Sequence, residues 1–435
     1  MDIIVVFILI LIVVSLFFIN MINTDYDFIS PISIICIMTL LSLAVMVFFY
    51  SKIGYTVSLT TVLMVSIAMI SFSIAGILMP VKVNSIKPLK KNDIVFYRRS
   101  VIIFSFVFVL ITLIAYYYEV RKVAMLSGYS SSSMNPMLFY YRRATLTGSD
   151  ALESQSKLVG QATIVSYCIS SLIAIDFAKR LVFKVVGSKI DFFLEILVII
   201  LRLIQTVLNG GRTQFLYYIE TLLLFIIYFY IRKNRRTINR SILKKFVYIT
   251  VGVFILFYLL GNLTGKTSTL NFSQTLFAYV GSPIPAFDQL IAGKIHFENK
   301  YFGSAVFYGP YQLLNYLGFN FDIGDMAGPS VAVGNTRTNI YGSFARYYDS
   351  FGVFGMVLIN FFIGIFYQIA YRRLFRDNAN IELNLFTFAL VSCFIFDFCT
   401  EERFFMNVIS IGTILRFIYA FLIIKLFNLR VKVRN

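Results

Sequence analysis

Long runs of apolar residues, separated by shorter polar segments, recur along most of the chain. A helix needs roughly 20 apolar residues to cross the hydrocarbon core of a bilayer, and these runs approach or reach that length. They are apolar on every face, which is typical of helices that pack against lipid and against each other. The pattern predicts about eleven membrane spans, near residues 3–22, 30–50, 57–79, 101–119, 158–178, 191–209, 213–231, 246–262, 352–371, 384–399 and 404–424.

Two polar stretches are longer than simple connectors between spans. Residues 121–156 form one of them, and residues 263–351 form the largest segment outside the predicted spans. Helices in bundles are usually joined by about two to eight residues, and longer loops are often functional. We therefore predict an all-α polytopic membrane bundle in three parts. These are a transmembrane bundle over 1–262, a large external loop with short amphipathic or re-entrant helices over 263–351, and three further spans with a tail over 352–435.

The composition agrees with a membrane protein, because 59% of the 435 residues are hydrophobic and only 14% are charged. Soluble globular proteins average about 45–50% apolar and about 25% charged residues, so an ordinary soluble enzyme is excluded. The formal net charge is +18, but the Lys and Arg residues lie mainly in short loops beside the apolar runs. Such loops set orientation and attract anionic lipid, so we expect no nucleic-acid partner.

The basic loops also predict the orientation of the spans. The segment 232–245 holds seven basic residues and no acidic residue. When the spans are threaded in order, it falls on the same side as basic clusters in 82–99, 179–189, 372–376 and 425–434. This side, which includes the C-terminus, is therefore predicted to be cytoplasmic. The orientation of the first two spans, whose flanking charges give a weaker signal, stays open.

The sequence Asn209-Gly210-Gly211-Arg212 lies between two adjacent predicted spans. Two glycines allow a tight reversal and a close approach to the backbone. Arg212 would begin the next helix, near the positive end of its dipole, where an arginine beside free N–H groups suits a diphosphate. A helical hairpin whose arginine reaches the lipid headgroups explains the same residues equally well.

Two ionisable residues lie at membrane depth beside this turn, Arg202 in the sixth predicted span and Glu220 in the seventh. Such residues cost roughly 2.5–3.5 kcal/mol on insertion and generally face a cavity or a partner. Arg202 is therefore a candidate substrate-binding residue, and an Arg202–Glu220 ion pair is the structural alternative. Arg416 and Asp397, in the last two predicted spans, could pair in the same way.

A second polar cluster closes the large loop. Its arginines, Arg337 and Arg346, could flank an anion, while its amide, hydroxyl and carboxylate groups could recognise sugar hydroxyls. Those groups belong to Asn335, Thr336, Asn339, Tyr341 and Asp349. The alternative is a juxtamembrane loop whose Tyr and Arg side chains belong to the interfacial belt.

Metal and nucleotide chemistry have little support in the sequence. The four cysteines and the single histidine lack the spacing of a metal cluster. No P-loop, GxGxxG, HExxH or GxSxG motif occurs. The sequence Asp25-Tyr26-Asp27 matches a metal-binding DxD, but a solvated loop turn explains this short match better. We expect neither a cofactor nor a metal.

Three segments carry a family resemblance. They are NGGRTQF at 209–215, YVGSPIPAFD at 279–288, and NTRTNIY at 335–341 followed by YDSFGVFG at 348–355. Together with the layout of many spans and one large external loop near the C-terminus, they resemble the Wzy-type oligosaccharide repeat unit polymerases. This chain departs from the family's usual acidic-Phe-Gly stretch, because Ser350 separates Asp349 from Phe351.

The resemblance implies a fold like that of membrane glycosyltransferases, in the bacterial inner membrane. It also implies that undecaprenyl-diphosphate-linked repeat units are polymerised into an O-antigen-like polysaccharide at the periplasmic face. In that reaction the growing glycan leaves undecaprenyl diphosphate, while a hydroxyl of the incoming unit attacks its anomeric carbon, without a metal. Candidate further partners are a chain-length regulator and a flippase. A flippase for the same lipid-linked sugars and an O-antigen ligase are the alternative functions.

Fixed arginines beside a departing diphosphate bind the transition state more strongly than the ground state. We assign this role to Arg212 and Arg337, with Arg346 third. Asp349, Asp288 and His296 are candidates for a general base that assists the acceptor hydroxyl. The predicted catalytic residues are Arg212, Arg337, Arg346 and Asp349, and the predicted substrate-binding residues are Gly210, Gly211, Asp288, Asn335, Thr336, Asn339, Tyr341 and Arg202.

Overall fold

The computed structural model describes residues 2–130, 134–147, 150–152, 154–185, 188–235, 252, 256, 272–323, 328–376, 380–427 and 430–432. Within these ranges, the side chains of residues 2, 92, 134–135, 146–147, 150, 212, 272, 376 and 430–432 are not described. The predicted eighth span, 246–262, lies outside the described residues apart from residues 252 and 256.

The described chain is mainly helical. The first nine α-helices are α1 (Asp2–Asn23), α2 (Pro31–Phe48), α3 (Tyr50–Ile53), α4 (Leu59–Leu78), α5 (Arg99–Leu126), α6 (Met134–Thr147), α7 (Lys157–Phe183), α8 (Lys189–Leu208) and α9 (Arg212–Asn234). They are followed by α10 (Phe272–Leu276), α11 (Pro283–Ile291), α12 (Tyr308–Tyr316), α13 (Ser343–Arg376), α14 (Ile381–Val391), α15 (Cys393–Asp397) and α16 (Ile411–Leu426). The short strands are β1 (Val95–Tyr97), β2 (Val331–Val333), β3 (Thr336–Thr338) and β4 (Arg430–Lys432).

Seven helices among the described residues are long and apolar enough to cross a membrane. They are Ile3–Asn23, Pro31–Phe48, Leu59–Ser85, Arg99–Leu126, Lys157–Phe183, Thr213–Asn234 and Ser343–Phe375. The chain is therefore a multi-pass helical membrane protein. These helices correspond to the first five predicted spans and to the seventh and ninth. Helix α8 covers the sixth predicted span and carries four charged residues, Lys189, Asp191, Glu195 and Arg202.

The last two predicted spans are not continuous helices. Residues 384–399 divide between α14 and α15, and residues 404–424 divide between a π-helical turn, Phe404–Val408, and α16. A charged segment that contains Glu402 lies between these pairs of elements. Glu402 is buried and accepts a hydrogen bond of 2.9 Å from the Tyr347 hydroxyl. Burial raises the pKa of Glu402 above its ordinary value, against the opposing effect of this hydrogen bond and of two backbone N–H groups.

The chain divides into two compact units that each gather segments distant in sequence. Unit 1 comprises Met1–Ile86, Leu270–Asn378 and Leu390–Ile414. Unit 2 comprises Lys87–Thr269, Ala379–Ala389 and Leu415–Asn435. The units thus follow different boundaries from the predicted linear segments, which divide the chain after residues 262 and 351.

In unit 1, helices α4 and α13 pack along each other. A Cβ atom at Gly364 would lie 2.2 Å from the carbonyl oxygen of Phe72, so a glycine allows the two backbones to approach closely. Helix α13 is kinked at Gly352, whose φ of 66° and ψ of −169° suit glycine alone. The kink separates a short helical segment, 343–351, from the longer membrane-spanning part. The predicted ninth span begins at this same residue.

The large loop contributes short elements to unit 1. Strands β2 and β3 form an antiparallel hairpin around Gly334 and Asn335. Gly334 has a φ of 55°, and a Cβ atom there would lie 2.0 Å from the Ile53 carbonyl oxygen. The backbone N–H of Asn335 donates to the same oxygen at 2.9 Å, so the tip of the hairpin is fixed against the end of α3.

Unit 2 is built around helices α5 to α9, with α7 packing against α5, α8 and α9. Strand β1 pairs antiparallel with β4. Lys179 in α7 forms buried ion pairs of 2.8 Å with Asp176 and 2.7 Å with Glu382. Arg180 similarly pairs with Glu195 at 2.7 Å. Each of these buried charges has a charged partner, which offsets the cost of removing it from water.

Candidate functional site

A cavity of about 240 Å³ lies within unit 2. Its wall is polar for a site among membrane helices, with amides, hydroxyls, tyrosine rings and two guanidinium groups. Among the described residues, no carboxylate lines it. The charged and aromatic lining residues are Tyr116, Tyr141, Tyr167, Arg202 and Arg416, and the amide-bearing ones are Gln155, Gln205, Asn209 and Gln214.

The two guanidinium groups both contact the ring of Tyr167. The Cζ atom of Arg202 lies 5.1 Å from the ring centroid, and that of Arg416 lies 5.0 Å from it. Arg202 comes from α8, Arg416 from α16 and Tyr167 from α7, so three helices hold the pair. The Nε atoms of both arginines are buried and have no hydrogen-bond partner among the described residues.

Hydrogen bonds fix the polar groups around these arginines. Arg202 donates from Nη1 to the Gln205 Oε1 atom at 2.7 Å, and Ser166 donates to the same oxygen at 3.0 Å. The amide nitrogen of Gln205 is buried and has no partner among the described residues. On another part of the wall, the Tyr116 hydroxyl lies 3.2 Å from the Asn209 amide oxygen, to which it donates.

This arrangement is suited to an anion. Arg202 is buried and Arg416 is partly buried. Two such positive charges without a lining carboxylate are costly in a region of low dielectric, and a bound anion would offset that cost. A guanidinium group presents a planar fork of N–H donors that matches phosphate oxygens. The neighbouring amides, hydroxyls and aromatic faces are groups that recognise a sugar. The cavity therefore has the chemistry to hold a phosphate or diphosphate joined to a carbohydrate.

The glycine turn between α8 and α9 begins at the cavity wall, because Asn209 lines it. Gly210 has a φ of 65°, and a Cβ atom there would lie 3.0 Å from the Arg142 Cβ atom and 3.1 Å from the Leu138 carbonyl oxygen. Helix α6 thus packs closely against the backbone of Gly210, where the missing side chain leaves room for it. A Cβ atom at Gly211 would make only an ordinary contact with Arg142. Arg212 begins α9 as predicted, but its side chain lies outside the described residues.

The loop residues that were expected to read sugar hydroxyls have varied surroundings in unit 1. Arg337 and Asn339 are exposed, whereas Thr336 is buried with no partner for its hydroxyl among the described residues. The side-chain amide of Asn335 donates to the Lys52 carbonyl at 2.8 Å, which makes it an anchor of the hairpin. Tyr341 donates to the Pro329 carbonyl at 2.8 Å, and its burial raises its pKa above the ordinary value for tyrosine.

Asp349 and Arg346 lie in the short segment of α13 before its kink. The Asp349 carboxylate contacts the Nδ1 atom of His296 at 2.7 Å. Arg346 is buried, donates to the Ala305 carbonyl at 2.9 Å and covers the ring of Phe297, with Cζ 4.5 Å from the centroid. The structure therefore gives Arg346 a positioning contact with the large loop and places Asp349 beside one of the other general-base candidates.

Asp288, the third general-base candidate, lies in α11 at the start of α4. Its Oδ1 atom accepts hydrogen bonds from the Ser58 N–H at 2.8 Å, the Ser58 hydroxyl at 2.7 Å and the Thr61 hydroxyl at 2.6 Å. A carboxylate here satisfies donors at a helix N-terminus and complements its dipole. These contacts give Asp288 a structural role.

Two ion pairs that the sequence allowed are replaced by other contacts. Arg416 lies against Tyr167, whereas Asp397 pairs with Arg403 at 3.4 Å. Arg202 bonds to Gln205 and faces the cavity, in place of the alternative ion pair with Glu220. One signal in the sequence marked Arg416 as a site residue, because it is an arginine within an apolar run. Tyr167 and Gln205 gave no comparable signal.

Asp27 is not the solvated turn residue that was expected, because its side chain is fully buried. It accepts hydrogen bonds from the Ile29 N–H at 3.0 Å and from the Tyr371 hydroxyl. Burial raises the pKa of Asp27 from 3.8 to about 6. No group of three or more potential metal ligands was found in the part of the chain that the structure describes.

Comparisons with protein-family models, with curated proteins and with solved structures find no match to this chain.

Proposed function

We propose that this protein is a polytopic membrane glycosyltransferase that polymerises oligosaccharide repeat units carried on undecaprenyl diphosphate. The observation that supports this most directly is the pair of arginines around Tyr167 in a cavity whose described wall has no carboxylate. The resemblance of three sequence segments to the Wzy-type polymerases supplies the substrate class.

The chemistry follows from the charges that the reaction creates. As the bond between the anomeric carbon and the diphosphate breaks, negative charge grows on the leaving diphosphate. Arg202 and Arg416 would stabilise that charge more strongly in the transition state than in the ground state. Their fixed positions against Tyr167 mean that little reorganisation is needed as the charge develops. Arg212, which begins α9 in the same unit, is a further candidate diphosphate ligand.

The proposal also includes the arrangement of the chain in the membrane. We place about eleven spans in a bacterial inner membrane, with the large loop on the periplasmic side and the C-terminus in the cytoplasm. The product is an O-antigen-like surface polysaccharide, and a chain-length regulator and a flippase are the candidate further partners.

The size of the cavity favours an enzyme over a carrier of the same lipid-linked sugars. Pockets for drug-sized ligands measure about 300–1,000 Å³, and this cavity, at about 240 Å³, is smaller. Its volume suits the diphosphate head and the first sugar of the donor, which carry the bond that breaks. A translocation path would have to accommodate the whole oligosaccharide.

The test uses the purified protein in nanodiscs with undecaprenyl-diphosphate-linked repeat units, with products resolved by length. We expect Arg202→Gln and Arg416→Gln each to reduce polymer formation by about 10²–10³-fold, as for loss of one fixed oxyanion ligand. The matched control is Arg121→Gln, which removes an exposed arginine from α5 in the same unit.

Each alternative gives a different result. Wild-type protein that moves the lipid-linked units across a vesicle membrane without joining them would identify a carrier. Transfer that requires a lipid A core acceptor would identify a ligase. Polymer formed at the wild-type rate by both cavity variants would refute the proposed site.

A further inference from the structure

One face of helix α8 presents three side chains to the cavity, because Arg202, Gln205 and Asn209 are spaced by three and four residues. Arg202 is bonded to Gln205, so its guanidinium group reaches the turn of the helix next to Asn209. In the proposed function this guanidinium group holds the diphosphate. A sugar joined to that diphosphate would lie within about one helical turn, roughly 5 Å, of it, which is the distance along α8 to Asn209.

Two buried tyrosines fix the side-chain amide of Asn209. The Tyr116 hydroxyl donates to the Asn209 amide oxygen at 3.2 Å. The Tyr141 hydroxyl lies 3.2 Å from the Tyr116 hydroxyl. A hydroxyl donates only one hydrogen, so Tyr116 accepts from Tyr141. The hydrogen bonds therefore run in one direction, from Tyr141 through Tyr116 to Asn209, and they identify the end of the Asn209 amide that accepts.

The other end of the Asn209 amide is not engaged. Its NH₂ group carries two donor hydrogens, and no described residue accepts from it. Tyr116 and Tyr141 are buried, whereas Asn209 is partly exposed and lines the cavity. The amides of Gln155 and Gln214 line the cavity too, but no described residue is hydrogen-bonded to them. Asn209 thus offers a ligand two donors whose orientation is already set.

The backbone on both sides of Asn209 is held by α5 and α6. Leu208 belongs to a buried cluster of side chains from these two helices. Gly210 has a positive φ and lies against α6, where a Cβ atom would come within 3.0 Å of the Arg142 Cβ atom. Asn209 is therefore a fixed part of the cavity wall, and little ordering is needed when its donors bind a ligand.

The surroundings of this amide suit a sugar better than a phosphate. Asn209 and the two tyrosines that orient it are uncharged, whereas the guanidinium groups that suit a phosphate lie against Tyr167. A sugar carries neutral oxygens that accept hydrogen bonds from amide N–H groups. A fixed donor also discriminates strongly against a ring that lacks the matching oxygen, because the donor is then left unpaired.

We propose that Asn209 binds the first sugar of the donor lipid, with its Nδ2 group donating to a hydroxyl or carbonyl oxygen on that sugar; this inference rests on the proposed function. Tyr116 and Tyr141 are positioning residues that hold the amide in this orientation. The cavity then recognises its substrate through two separate parts, the arginines for the diphosphate and the Asn209 amide for the sugar.

An asparagine that only closes the turn after α8 would show the same distances, so the test separates the sugar from the diphosphate. It compares two ligands that differ only in the glycan, undecaprenyl diphosphate and the same lipid carrying its repeat unit. Each competes with inorganic pyrophosphate, whose binding to the protein in nanodiscs is measured by calorimetry. We expect the wild-type protein to bind the glycosylated lipid more tightly than the bare one.

In Asn209→Ala, the preference for the glycosylated lipid should fall by about 3–10-fold, as for the loss of one hydrogen bond. The affinity for pyrophosphate should stay at the wild-type value. Tyr116→Phe keeps the ring but removes the hydrogen that orients the amide, so the preference should fall by a smaller factor. The matched control is Asn234→Ala, which removes an exposed asparagine from α9 in the same unit and should keep both values.

An unchanged preference in Asn209→Ala would overturn the role of Asn209 while leaving the proposed function intact. An equal loss of affinity for both lipids and for pyrophosphate would do the same, because the residue would then act on the diphosphate or on the fold. If Asn209→Ala does not fold, an unchanged preference in Tyr116→Phe overturns the inference. Failure of the wild-type protein to polymerise the lipid-linked units would overturn the proposed function, and the inference with it.

Discussion

The carboxylate of Asp288 accepts the hydroxyl hydrogen of Ser58 at 2.7 Å, at the residue that precedes helix α4. The Ser58 N–H and the Thr61 hydroxyl donate to the same oxygen. Helix α11, from the large loop, is thus attached to the start of the membrane helix α4. The carboxylate of Asp288 also faces the positive end of the α4 dipole.

Asp288→Ala should therefore act mainly on stability. We expect the free energy of unfolding to fall by about 1–3 kcal/mol, because three donors at a helix N-terminus lose their acceptor. Asp288→Asn should cost less because its carbonyl oxygen still accepts. Thermal unfolding in detergent measures both, with the exposed Glu298→Ala as the control. An unchanged unfolding temperature for Asp288→Ala would contradict the structural role.

The two glycines after Asn209 should differ in their tolerance of substitution. Gly210→Ala places a side chain at positive φ against α6, so we expect a loss of about 1–3 kcal/mol. Gly211→Ala makes only an ordinary contact, so its free energy of unfolding should stay within a few tenths of a kcal/mol of the wild-type value. The unfolding temperatures of the two variants form a matched pair. Equal decreases in unfolding temperature would show that the turn itself disfavours a side chain at both positions, whatever the packing of α6.

The ring of Tyr167 should matter through its face more than through its hydroxyl. Cation–π contacts are worth about 0.5–2 kcal/mol each. Tyr167→Leu removes two of them and should weaken binding of inorganic pyrophosphate about tenfold, as measured by calorimetry. Tyr167→Phe keeps the ring and should bind close to wild type. Equal affinities for the Leu and Phe variants would show that the ring does not organise the two arginines.

Asp27 should make stability depend on pH. The pKa of Asp27 is raised in the folded state from 3.8 to about 6, so the protonated side chain stabilises the fold. This stabilisation is fully present below pH 3.8 and is lost as the pH rises through about 6. A difference of this size corresponds to about 3 kcal/mol. In Asp27→Asn the side chain is always neutral, so the variant should be more stable than wild type at pH 8.

The measurement for Asp27 is the difference in unfolding temperature between Asp27→Asn and wild type from pH 8 to pH 5. We expect it to shrink as the pH falls through about 6, because wild-type Asp27 then becomes protonated. Other titrating groups affect both proteins alike. A difference that stays constant over this range would contradict the raised pKa.

The membrane helices could be predicted from the sequence because crossing a bilayer is a local property of about 20 residues. The runs that became α1, α2 and α4 show this. The predicted spans at 384–399 and 404–424 are each interrupted, at Ser392 and after Val408. The π-helical turn before the second interruption is bonded to the buried Glu402, which also accepts from Tyr347, 55 residues away in sequence. Apolar run length contains no information about such partners.

The site was only partly predictable for the same reason. Arg202 stood out because a charge at membrane depth needs an explanation within its own span. Its neighbours Arg416 and Tyr167 come from distant parts of the chain, and the sequence equally allowed Arg416 to pair with Asp397. The contact of His296 with Asp349 likewise crosses 53 residues of sequence, so spacing gave no sign of it.

Two arginines that stabilise a departing diphosphate also retain it once the sugar has gone. Under the proposed chemistry, the spent lipid carrier would still occupy the cavity when the new glycosidic bond is complete. Its residence time there, and not the transfer itself, would set the interval between additions. Accumulated undecaprenyl diphosphate would then act as a competitive inhibitor, and the rate of chain growth would follow how quickly the membrane clears and recycles its carrier.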